Sequence, residues 1–132
     1  MSEIHDNRIK SYFVDIENHK IIFNTEFFNK EITTIIFNNV IGHLFSSGTT
    51  VGIIFDIIEY SIDEYVKIDS KILKHKEDYD FSFKYNNEKD LINKLNEKNL
   101  KYYIIESSYG LNGWILAEEM QINVNKNGYK NI

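Results

Sequence analysis

At 132 residues, 42% of them hydrophobic and 27% charged, the chain is too apolar for disorder and can remove about two-thirds of its unfolded surface from water. One folded domain spanning 1–132 is expected, with 1–7 and 125–132 as frayed termini. Zero cysteines exclude disulfides, thiolate metal sites and cysteine nucleophiles, while 20 acidic against 15 basic residues give a formal charge of -5 that repels nucleic acid phosphate and favours basic partners.

The amino end, Met1 to Asp6, lacks the basic start and apolar stretch of a signal peptide. No run approaches the ~18 apolar residues of a membrane helix, so a cytoplasmic location without membrane contact is expected. In chain order, "RIKSYFVDIE" (8–17) and "KIIFNTEFF" (20–28) are rich in β-branched and aromatic residues and flank Asn18-His19, which predicts a hairpin. "ITTIIFNNVIGHLF" (32–45) predicts a long third strand with a bulge at Asn38-Asn39, where the alternation shifts phase. "IIFDIIEY" (53–60) is apolar on both faces and predicts a central strand.

Ser61 followed by Glu64 has capping-box spacing, which predicts a helix starting there and running to about residue 76. "FSFKY" (81–85) is a candidate edge strand. A second helix is predicted from Asn87, with Asp90 in its first turn, Leu91, Ile92 and Leu95 as its apolar stripe and Asn99 as a left-handed stop. "LKYYIIES" (100–107) and "WILAEEMQINV" (114–124) close the chain as a hairpin. The fold class is therefore α+β with a mainly antiparallel sheet: a β meander, a helix, a candidate edge strand, a helix and a closing hairpin.

Specific catalytic motifs are missing. His5, His19, His43 and His75 lack metal-ligand spacing, and only His43 lies on an apolar strand. Ser107 and Ser108 lack the flanking glycines of a nucleophile elbow, and Gly48 and Gly52 lack the Lys-Ser/Thr of a phosphate loop. Neither a catalytic residue nor a cofactor or metal is assigned, and the expectation is a non-enzymatic protein.

Three carboxylates occupy positions that alternation gives to apolar faces. Asp56 is in phase with Ile54, Ile58 and Tyr60; Glu106 with Leu100, Tyr102 and Ile104; Glu118 with Trp114, Leu116, Met120 and Ile122. A carboxylate there must be paired, solvated at a rim or held neutral. An odd hairpin loop with Tyr109 opposite Gly113 gathers the large apolar side chains on one face and makes Glu106 and Glu118 diagonal neighbours. Left-handed backbone is then expected at Gly110 or Asn112. The candidate binding residues are Asp56, Glu106, Glu118, Tyr109 and Trp114. Their carboxylates could do acid/base work, receive a partner's Lys or Arg, or be neutralised internally.

"VIGHLF", "IIFDIIEY" and "IIESSYGLNGWILAEEM", in that order, resemble small bacterial proteins of the immunity type that accompany polymorphic or contact-dependent toxins. That resemblance implies a cytoplasmic antidote that masks a basic toxin with an acidic and aromatic surface. The alternatives are a small-ligand binder or hydrolase using carboxylates on a sheet face, and a subunit of a homodimer or larger assembly whose strand edge is covered by its partner.

Overall fold

The computed structural model describes residues 7–27, 31–46, 52–64, 84–109 and 111–125. Eight strands occur among them: β1 (Arg8–Asp15), β2 (Lys20–Phe27), β3 (Glu31–Asn38), β4 (Gly42–Ser46), β5 (Gly52–Ser61), β6 (Lys101–Tyr109), β7 (Asn112–Ala117) and β8 (Glu119–Asn125). A helix, α1 (Glu88–Glu97), lies between β5 and β6, and the described residues Ile62–Glu64 are also helical. All pairings are antiparallel, in the order β4-β7-β6-β5-β1-β2-β3-β8. The mainly antiparallel sheet is as expected, though the described helix content is small.

The two ends of that order are joined. β3 and β4 are halves of one bent strand, β7 and β8 of another, and the two bent strands pair along their length. Asn38 faces Glu119 and Gly42 faces Leu116, so residues 39–41 oppose only 117 and 118. This one extra residue is a β-bulge, spanned by the hydrogen bonds Ile41 N–H to Leu116 O (2.9 Å) and Glu118 N–H to Asn38 O (3.1 Å). With each bent strand counted once, hydrogen-bonded neighbours run around a ring, and the sheet closes as a six-stranded antiparallel barrel.

Alternation fills the interior. Ile21 and Phe23 of β2, Ile35 and Phe37 of β3, Ile57 of β5, Tyr103 and Ile105 of β6 and Ile115 of β7 form one buried cluster. Rings from non-adjacent strands meet edge to face, Phe37 with Tyr103 at 5.2 Å within the cluster and the partly exposed Tyr12 with Phe45 at 5.3 Å at its margin. The outer face of β6 and β7 is covered by α1, whose fully buried Leu91 and Leu95 pack with Tyr102, Trp114 and Leu116. β5, between β6 and β1, contributes to both clusters, as a central strand should.

Local chemistry sets the ends of the helices. The Asn87 side chain accepts from Asp90 N–H (2.9 Å), Asp90 accepts in return from Asn86 N–H (2.9 Å), and Asn99 ends the helix at φ 58°. Ser61 and Glu64 make the expected reciprocal capping box, each bond 3.1 Å. The course of the first helix beyond Glu64, residues 81–83 of the candidate edge strand, and Gly110 lie outside the described residues; Lys84 and Tyr85 are not strand. Two expected tail residues belong to the fold, since Asn7 is buried and donates to Thr25 Oγ1 (3.0 Å) and Asn125 pairs with Ile32.

Several strand details correct the sequence reading. The first hairpin turn is four residues, Ile16–His19, because Asp15 faces Lys20 and its carboxylate accepts from the backbone and side-chain amides of Asn18 (3.1 and 2.8 Å). The closing hairpin pairs Ile104 with Trp114, a four-residue offset from the expected register. An even offset keeps the residues paired in this hairpin, 101–105 and 113–117, on their expected faces. The offset arises because β6 continues past the hairpin to pair Tyr109 with Ile53, leaving β7 to fold back earlier. Asn112 is not left-handed; it starts β7, and its side chain accepts from Ser107 N–H (2.9 Å).

Candidate functional site

The proposed binding residues do not converge on one place. Asp56 and Glu106 stand directly opposite each other on β5 and β6, Asp56 half-buried and accepting from Ile57 N–H (2.8 Å), Glu106 exposed. Bulges on either side of Ile54 turn that residue into the barrel core, so it does not share the Asp56 face as alternation suggested. Tyr109 is on β6 opposite Ile53. Trp114 is buried at 9% exposure and stacks on Tyr102 at 5.7 Å, so it supports α1.

Glu118 lies elsewhere. Lys101 faces Ala117, so Glu118 is at the opposite end of β6 from Glu106, roughly 16 Å away at the strand rise over five residues. It is not a diagonal neighbour of Glu106. The bulge also switches faces: Trp114 and Leu116 point outward to the helix, whereas Met120 and Ile122 pack on the interior. Glu118 occupies the switch itself, exposed, with Asn39 Nδ2 donating to its carboxylate at 2.9 Å and Lys101 Nζ to its carbonyl at 3.3 Å. Its anomaly was one of phase, removed once the strand breaks.

A different place concentrates surface chemistry. Where the Ile16–His19 turn approaches the bulge, a cleft of about 190 Å³ opens at one end of the barrel. Its apolar walls are Val14, Ile16, Ile21, Val40 and Ile41; its polar members are Asp15, His19, Lys20 and His43. Ile21 and Val40 are buried, whereas Ile16 at the rim is 81% exposed. β-alternation turns His43 inward beside Phe45, with ring centroids 5.0 Å apart, and burial holds its imidazole below the ordinary histidine range. Asp15 is held below the usual carboxylate range first by the Asn18 side-chain hydrogen bond and then by the Asn18 backbone one.

A second, more polar cleft of about 270 Å³ lies by the capping box, but its Ser61 and Glu64 are committed to each other and its Asn96 donates to Asp63 (3.2 Å). Neither cleft is lined by Asp56, Glu106, Glu118 or Trp114. Among the described residues no group of three or more His, Asp and Glu is placed to hold a metal ion. Sequence reasoning reached the first cleft only through His43.

Next to that cleft, β1 carries the exposed side chains Phe13 (58%) and Tyr12 (39%). On the β5 side β1 is paired only at Arg8 and Ile9, so among the described residues its edge from Ser11 to Asp15 has no strand neighbour. An unpaired edge with aromatic side chains is a template for another chain. The chain matches no family model and no curated protein. Among the described residues no helix is long and apolar enough to cross a membrane.

Proposed function

We propose that this is a non-enzymatic cytoplasmic binding protein that engages a basic protein, as an immunity protein engages its toxin. One observation carries the reading: the β1 edge, which has no strand neighbour from Ser11 to Asp15 among the described residues, bears exposed Phe13 and leads to exposed Ile16, an apolar surface on a chain of net charge -5. Aromatic anchors give affinity at an interface, and the acidic balance steers a basic partner toward it. The carboxylate-hydrolase alternative loses support from the geometry, since its Trp114 is packed under α1 and Glu118 is far from Glu106.

The test is co-expression with the product of each adjacent gene, scored as growth. Rescue from one toxic product is expected, with Phe13→Asp and Ile16→Asp each weakening binding about 30-fold, the loss of one hot-spot side chain. Unchanged circular dichroism would locate that loss in the interface. Rescue from none of the products, or full rescue by both variants, would reject the proposal. A homodimer that covers the same edge would instead show twice the 15.7 kDa chain mass in solution.

A further inference from the structure

We infer that the cleft between the Ile16–His19 turn and the Val40–His43 segment is the anchor pocket for one tyrosine side chain of the partner, presented between basic residues. This inference rests on the protein-binding reading and names the chemistry of the partner at that surface.

Size sets the first limit. About 190 Å³ is below the roughly 300–1,000 Å³ of pockets that enclose cofactors or drug-sized ligands, and slightly above the roughly 150 Å³ of a cavity that takes one benzene. One substituted ring fits. Shape agrees, because Val14, Ile21 and Val40 supply apolar walls while exposed Ile16 leaves the mouth open to a side chain delivered from outside.

Polarity selects among the rings. His43 is half-buried in the wall, and desolvation favours its neutral form, which offers one donor and one acceptor. An inserted phenylalanine or leucine would remove water from that imidazole and return nothing. A phenol hydroxyl restores the lost hydrogen bond. Charge then selects the flanks. Asp15 is ionised at neutral pH, Glu17 is exposed in the same turn, and among the described residues lining the cleft Lys20 is the one lysine or arginine, so residues on either side of the ring are favoured when basic.

The experiment is an NMR titration of the isotope-labelled full chain with three end-blocked tripeptides, Lys-Tyr-Lys, Lys-Leu-Lys and Glu-Tyr-Glu, and with free p-cresol. Lys-Tyr-Lys is expected to move the amides of Ile16, His19 and Val40 to His43, binding about tenfold tighter than Lys-Leu-Lys, the equivalent of one hydrogen bond. His43→Phe should erase that preference, and His43→Gln, which keeps a donor and an acceptor, should retain part of it. Shifts that miss the cleft, or none at millimolar peptide, would overturn the assignment. Equal binding of Lys-Tyr-Lys and Glu-Tyr-Glu would overturn the basic flanks. Binding of p-cresol as tight as that of Lys-Tyr-Lys would make the cleft a small-molecule site instead. Cleft shifts that grow with protein concentration alone would make a second copy its occupant. The binding-protein reading is judged separately, by growth rescue in the Phe13→Asp and Ile16→Asp variants.

Discussion

Gly113 is fixed by its neighbours across the β4–β7 ladder. It faces Phe45, and a Cβ built on it would clash with the Leu44 carbonyl oxygen and lie 2.7 Å from Phe45 Cδ1. The first contact is backbone and cannot swing aside. Gly113→Ala is therefore expected to destabilise by about 2–3 kcal/mol, the cost of overpacking, read as a lower urea midpoint at unchanged slope. His43 responds to solvent pH. Its folded pKa is depressed by burial, while the unfolded imidazole titrates near its ordinary ~6.5. Below that value the unfolded chain binds more protons than the folded one. The histidine's contribution is thus fully present above ~6.5 and is lost as pH falls through the lower folded pKa. From pH 7.5 to 5 the urea midpoint of wild type should fall relative to that of His43→Phe; parallel curves would contradict the desolvated placement.

At the level of elements, the bulge joining β3 to β4 is the main conformational constraint. Asn39 sits at φ 54°, and its side chain donates to Glu118 across the break. Asn39→Val places a β-branched residue in left-handed backbone and should cost about 1–2 kcal/mol, whereas Asn39→Gly relieves the backbone and loses only an exposed hydrogen bond. Thermal unfolding of the two variants separates these effects. Ser61→Ala, which removes one half of the capping box, should cost about 1 kcal/mol in the same assay. These local features were legible because their signals lie within three or four residues: the Ser61–Glu64 spacing, the Asn87 cap, the Asn99 stop and the phase shift at Asn38-Asn39. The break at Glu118 was not legible. Apolar residues at 114, 116, 120 and 122 run through it at period two, and the switch of faces comes from an extra residue on the strand opposite. Hairpin parity was legible from the apolar faces, but the four-residue offset was not, since every even shift satisfies the same pattern. The cleft joins residues 14–21 to 40–43 through the closed barrel, so only His43, an imidazole on an apolar strand, hinted at it.

At the scale of the whole molecule, the ring of strands is unevenly closed. β2 and β3 pair over eight positions and β3 and β8 over seven, whereas among the described residues β1 and β5 are joined at two, Arg8 with Ile53 and Ile9 with Gly52. Opening the β1–β5 seam breaks few ladder bonds and exposes one buried side chain of β1, Ile9. Opening the opposite side would break a long ladder and expose Ile35 and Phe37, both fully buried. Local opening free energies follow the number of bonds and the apolar area lost, so the seam should open far more often than the barrel unfolds. Hydrogen exchange under native conditions measures this difference. Amides of Arg8, Ile9, Ile53 and Ile54 are expected to exchange through local openings nearly independent of low urea, while those of Ile35 to Phe37 and Gln121 to Ile122 exchange only on global unfolding. Ile9→Ala should accelerate the first group several-fold more than the second. Equal protection of the two groups would mean that β1 is held at the seam by more than its two pairs with β5. A partner strand added along β1 should slow exchange there first, at Ser11 to Asp15, which places the proposed interface on the least secured side of the barrel.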